Sequence, residues 1–199
     1  MSVAVMLWRI LFVSPAAAIM AAAGFAAFLI LGSWWLRKKP DSSRGALKLL
    51  IGAWVFLVLI ATIYPEQSIG SSHEPINWNP GEQFSAPLVD QFELDLLVRQ
   101  YIGNAAMFAP LGALGWLISR RFIITFGACV GLSVAIEAVQ QIMGAGRSAD
   151  IDDVLCNSGG ALAGVALAVA AWMISGVFGK SDIEGGANLR RASIRRISR

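Results

Sequence analysis

The chain has 199 residues, 56% of them hydrophobic and only 15% charged, with a formal net charge of +3. Soluble domains carry about a quarter charged residues, so this composition excludes an ordinary soluble enzyme or binding domain. Several apolar runs approach the roughly 20 residues that cross a hydrocarbon core of about 30 Å, which predicts an all-α, polytopic transmembrane helical bundle.

In chain order, the first apolar run follows Val3–Val13, which reads as an interfacial lead-in with one charge, Arg9. A secretory signal has a shorter apolar core of about 7–15 residues behind a basic segment, so this start reads as a span over 14–36 instead. Pro15 suits its first turn, and Trp34 and Trp35 fall where an interfacial aromatic belt belongs. Arg37, Lys38, Lys39 and Arg44 then form a short polar loop, and a second span covers 47–64. Residues 65–93 are acidic and interrupted by Pro65, Pro75, Pro80 and Pro87, which predicts irregular structure with at most a short surface helix. His73, the sole histidine, reads as a solvated residue of that segment.

The third span covers 94–118, with Asp95 and Arg99 at its wet end and Pro110 inside it. Pro110 lacks an N–H and should release the carbonyl of Ala106, giving either a kink that lines a cavity or, the favoured reading, a simple bend that a neighbour fills. Arg120 and Arg121 make a tight turn into the fourth span, 122–143. The fifth span covers 151–178, and the Gly-, Ser- and Arg-rich remainder reads as mobile. The division expected is one transmembrane domain over 1–179 and a basic cytoplasmic tail over 180–199. That tail reads as a membrane-surface anchor, not a nucleic-acid binder. Cys129 and Cys156 have no ligand spacing and read as small packing residues.

Five spans alternate the loops between two sides. One side collects thirteen of the sixteen Lys and Arg residues; the other holds Arg9, Arg99 and Arg147. The positive-inside rule makes the first side cytoplasmic, so the N-terminus is outside, the C-terminus inside, and residues 65–93 and 144–150 are extracytoplasmic.

Under that orientation polar residues of three helices share one depth near the outer face. Asp150, Asp153, Asn157, Gly160 and Gly164 recur on one helical face, as do Glu137, Gln140 and Gln141. Asn104, Phe108, Gly112 and Gly115 share another. Ionisable side chains are costly beside lipid, so Asn104, Glu137, Gln140, Arg147, Asp150, Asp153 and Asn157 are the candidate pocket. Asp150 can cap the fifth helix, and Asp152 is expected only to favour that helix's positive end. Arg147 can also pair with Glu137 or Asp150 to neutralise charge. The pairs Gly127/Gly131 and Gly160/Gly164 predict close packing of helices four and five.

Asn104-x3-Phe108-x-Pro110-x-Gly112, Glu137-x2-Gln140 and Arg147-x2-Asp150-x2-Asp153-x3-Asn157-x2-Gly160 together resemble the signature of VanZ-like membrane proteins. The resemblance spans about residues 94–175; Asp152 is an extra acid beside the pattern. The family is named for an accessory factor in resistance to the glycopeptide teicoplanin. The resemblance implies residence in the plasma membrane and an envelope role, and it specifies no substrate or cofactor. Three function classes compete. In a binding or accessory module, Arg147 would pair with phosphate or carboxylate, and Asn104, Gln140 and Asn157 would orient the ligand. Candidate partners beyond the bilayer are an envelope lipid or glycan precursor, or another membrane protein. In a membrane-embedded enzyme acting on an envelope lipid, Glu137, Asp150 and Asp153 would hold a divalent cation, or one of them would serve as a general base. That reading lacks a nucleophile beside a base. A transporter ranks third, since no inverted repeat or second broken helix is visible.

Overall fold

The computed structural model describes residues 15–64, 68–70, 75–82, 91–144 and 149–197, without the side chains of 15–18, 91–93, 95 and 178–197. Residues 3–13, His73 and Arg147 lie outside the described residues. Five helices follow one another: α1 Pro15–Lys38, α2 Pro40–Ile63, α3 Gln91–Ser119, α4 Phe122–Met143 and α5 Ile151–Ile197. All five contain stretches long and apolar enough to cross a membrane. Among the described residues there is no strand. Large apolar side chains such as Leu49, Phe56, Ile123 and Met173 face outward. Water would make such a surface an aggregation site, whereas lipid solvates it.

The polar loop expected over 37–46 is helical instead. Only Lys39 separates α1 from α2. Pro40 opens α2, where its missing N–H costs nothing, and Asp41 lies in the positive first turn. The buried Ser43 hydroxyl bonds back to the Lys39 carbonyl at 2.6 Å. At the other tight link, Arg120 takes a left-handed φ of 57°. The Ser119 hydroxyl accepts the Arg121 N–H at 3.1 Å and lies 2.9 Å from the Thr125 hydroxyl, so the turn is held by side chains of both helices.

The chain divides into two compact units, residues 1–44 with 167–199, and residues 45–166. In the first, Leu29, Ser33 and Leu36 of α1 are buried, as are Ala168, Ala171 and Ser175 of α5. Arg37 stacks 3.7 Å over the Trp172 ring and donates to the Ser175 hydroxyl and the Trp172 carbonyl. A cation–π contact and two hydrogen bonds thus fix a charge that sequence alone assigns to a loop.

The second unit has its core around Val58, Phe108, Leu111, Cys129, Ile136 and Ala161. Helix α3 continues through Pro110. Beside the carbonyl that Pro110 deprives of its partner, the Met107 carbonyl accepts the Trp54 indole N–H at 2.9 Å, so a neighbour does fill this stretch.

The glycine pairs are used differently from expectation. A Cβ at Gly160 would collide with the backbone of Ala105, one at Gly164 with that of Ala109, and one at Gly112 with that of Ala161. Helices α3 and α5 therefore meet backbone to backbone. Gly127 and Gly131 of α4 are exposed, with open space where a Cβ would stand. The expected pairing of helices four and five through both GxxxG motifs is corrected: Gly160 and Gly164 serve α3. The reason is that a GxxxG motif records a permissive surface, not its partner.

Candidate functional site

The site is built at the head of α5, within the second unit. Helix α4 ends when Gly144 adopts a left-handed φ of 50° and returns its N–H to the Gln140 carbonyl. Ahead of α5 the buried Asp150 is its N-cap: its Oδ1 accepts the Asp152 N–H at 2.9 Å. The Asp150 N–H in turn donates to Glu137 Oε2 of α4 at 3.1 Å. Gln141 of α4 accepts the Ala149 N–H at 3.1 Å. Two side chains of α4, one turn apart, thereby hold the entry to α5.

Helix α3 contributes a second pair of contacts. Asn104 Nδ2 donates to Asp153 Oδ1 at 2.6 Å, and the Tyr101 hydroxyl donates to Asp152 Oδ2 at 2.8 Å. The pairs Tyr101/Asp152, Asn104/Asp153, Ala105/Gly160 and Ala109/Gly164 ascend together, so α3 and α5 run in the same direction. The glycine contact sets how closely the backbones approach, and that approach brings the polar side chains within hydrogen-bond reach.

One turn deeper, Asn157 of α5 donates from Nδ2 to the Ser133 hydroxyl of α4 at 2.9 Å. Asn157 is 3% exposed, and its Oδ1 has no hydrogen-bond partner among the described residues. A buried acceptor left unpaired is costly, so it marks the floor of the cluster as a place where a donor belongs. Below it lie Phe108, Cys129 and Ala161, which close the cluster with apolar packing.

Of the seven residues expected to form the pocket, Glu137 and Asp150 meet directly, and Asn104 and Asp153 meet directly. Asn157 sits one turn below them. Gln140 turns elsewhere: it is buried and donates to the Thr62 carbonyl of α2 at 2.8 Å, bracing α4 against α2. Arg147 is not among the described residues.

Several participants escape the sequence reading. Asp152 does more than favour the positive end of α5. It is 6% exposed and accepts the Gly81 N–H on both oxygens, at 3.0 and 2.9 Å, besides the Tyr101 hydroxyl. Asn77 pairs with residues on either side of Asp150: its N–H reaches the Ala149 carbonyl at 3.0 Å, and its carbonyl accepts the Ile151 N–H at 3.1 Å. Tyr101 was findable, since it lies three residues before Asn104 on the same helical face. Asn77 and Gly81 stand in a non-periodic segment whose turn residues give no direction. Ser133 lies one turn before Glu137 and could have been placed the same way.

Glu137, Asp150 and Asp152 are all buried, and Asp153 is half-buried. Among the described residues, no group of three or more His, Cys, Asp or Glu side chains is arranged to hold a metal ion. Glu137 accepts the Asp150 N–H, Asp150 accepts the Asp152 N–H and Asp153 accepts from Asn104.

A family model described as VanZ/LLP1 matches residues 47–174, well over half of the chain. The matched stretch reaches further toward the N-terminus than the signature on the last three spans, and it takes in Trp54, Thr62 and Asn77 with the rest of the site. No curated protein and no solved structure matches the chain. Five helices long and apolar enough to cross a membrane and a family match that covers every described member of the polar cluster agree, and the chain belongs to the VanZ/LLP1 family.

Proposed function

We propose that this protein is an envelope-associated binding or accessory protein of the plasma membrane. Its polar cluster faces the extracytoplasmic side and holds the head group of an envelope lipid or glycan precursor. The observation that carries the reading is the burial of three carboxylates, Glu137, Asp150 and Asp152, at the ends of helices otherwise apolar. Charge at such a depth is expensive to keep, and ionisable groups in membrane spans mark functional sites by default. The unpaired Asn157 Oδ1 beneath them supports the reading, because it offers an acceptor to a group from outside the described residues. Arg147, three residues before Asp150, supplies a guanidinium whose planar fork suits phosphate or carboxylate. The distribution of thirteen basic residues against three supports the outward orientation.

Orientation is tested first. A reporter active only in the cytoplasm should work when fused after Arg199 and stay silent when inserted at Ser71–Glu74. Activity at the second position would overturn the outward-facing site.

The ligand is tested by identifying, with mass spectrometry, the lipids that copurify with the full-length protein and with Arg147→Lys and Glu137→Gln variants. Arg147→Lys keeps the charge and loses the fork, so it should reach normal abundance yet lose about tenfold or more of the bound lipid, along with any envelope phenotype of a deletion. Glu137→Gln keeps an acceptor for the Asp150 N–H, so abundance should fall only modestly while binding is lost. If lipid content and phenotype fall only in step with abundance in both variants, the cluster is a structural charge network and the binding reading fails.

A further inference from the structure

Residues 75–82 lie on the head of α5 and are held there almost entirely by polar contacts. Asn77 pairs through its backbone with residues 149 and 151, and its Nδ2 lies 3.3 Å from Asp150 Oδ2. Four residues on, Gly81 takes a φ of +73°, which turns its N–H onto both oxygens of Asp152. An L side chain at that φ would be strained, so the glycine is what allows the contact. The Tyr101 hydroxyl of α3 donates to the same carboxylate. Ile76 and Trp78, by contrast, are turned outward and exposed. The segment therefore covers Asp150 and Asp152 without burying its own apolar side chains. Segments with few buried apolar contacts open locally at a small fraction of the global unfolding free energy.

We propose that residues 75–82 form a cover over the carboxylate cluster, latched by the Gly81 N–H on the Asp152 carboxylate, which must lift before a ligand reaches Glu137 and Asp153 from the extracytoplasmic side. The inference rests on the outward-facing site proposed above and adds to it Asn77, Gly81, Tyr101 and Asp152. The latch is a single carboxylate shared by a backbone N–H of the cover and a hydroxyl of α3. Straining Gly81 or removing its Asp152 acceptor weakens the closed state, whereas the Tyr101 hydroxyl joins α3 to α5 and orients the carboxylate without touching the cover.

The test uses the full-length protein with Cys129→Ser, which leaves Cys156 as the single thiol. Cys156 is half-buried, one turn beyond Asp152. Intact cells are treated with a membrane-impermeant maleimide. Labelling should be slow with the native latch, equally slow in Tyr101→Phe, which leaves the Gly81 contact in place, and about tenfold faster in Gly81→Ala, whose left-handed φ an L side chain strains. Equal rates in all three overturn the cover. Labelling confined to permeabilised cells overturns the outward orientation, and with it both readings. Hydrogen exchange on the native chain needs no variant. The Asn77 and Gly81 amides should exchange at least about tenfold faster than those of Leu111–Leu114. Exchange as slow as that core would mean the segment opens only on unfolding, and would also overturn the cover.

Discussion

Gly160→Leu and Gly164→Leu should each abolish the folded protein in detergent, while Gly131→Leu leaves its thermal transition in place. In lipid no hydrophobic force drives helices together, so association depends on close van der Waals contact and interhelical hydrogen bonds. At Gly160 and Gly164 the facing atoms are backbone atoms of Ala105 and Ala109, which cannot swing aside as a side chain would. Relief requires α3 and α5 to separate along their shared length. Separation would also stretch the Asn104–Asp153 and Tyr101–Asp152 hydrogen bonds, at 2.6 and 2.8 Å. Overpacking costs about 1–3 kcal/mol and occasionally more; with two rigid backbones opposed, the upper end or beyond is expected. Gly131 has open space at its Cβ and faces outward, so a leucine there meets lipid. Thermal stability and membrane abundance of the three variants decide the matter. Equal losses at Gly131 and Gly164 would mean that α4, not α3, is the partner.

Asp152→Ala should be the most damaging change among the carboxylates, costing about 3 kcal/mol or more, and Asp152→Asn should cost about half as much. The alanine removes the acceptor for the Gly81 N–H and the Tyr101 hydroxyl at once. Hydrogen bonds to a charged group contribute about 1.5–3 kcal/mol each, and donors left buried without a partner add their desolvation penalty. Asparagine can keep its one oxygen where Oδ2 stands, within reach of both donors, but the charge assistance goes. Tyr101→Phe removes one donor and should cost about 1 kcal/mol. Chemical or thermal unfolding in detergent measures all three. A silent Asp152→Ala would mean that Asp152 acts only through the positive end of α5, where a carboxylate contributes about 0.3–1 kcal/mol.

The amino-acid sequence by itself determined the number and approximate limits of the spans, because 20-residue apolar runs have no other stable use in a chain so poor in charge. It also determined which polar residues share a helical face, since that follows from the 3.6-residue period alone: Glu137 with Gln140, Asp150 with Asp153 and Asn157. The N-cap role of Asp150 was legible because capping is a local interaction between residues two positions apart. What only the tertiary structure decided was which faces meet. The same GxxxG spacing occurs at Gly127/Gly131 and Gly160/Gly164, yet one pair faces outward and the other seats against Ala105 and Ala109. A small residue permits approach and does not name its partner. Gln140 shares a face with Glu137 and still reaches α2, because a helix face about 100° wide touches more than one neighbour. Asp152 looked like an ordinary helix-end acid because both of its other donors, Gly81 and Tyr101, lie more than fifty residues away in the chain or in a segment without periodicity. Spacing fixes where a side chain stands on its own helix; the contact it makes is set by backbone approach between helices, which is a property of the assembled fold.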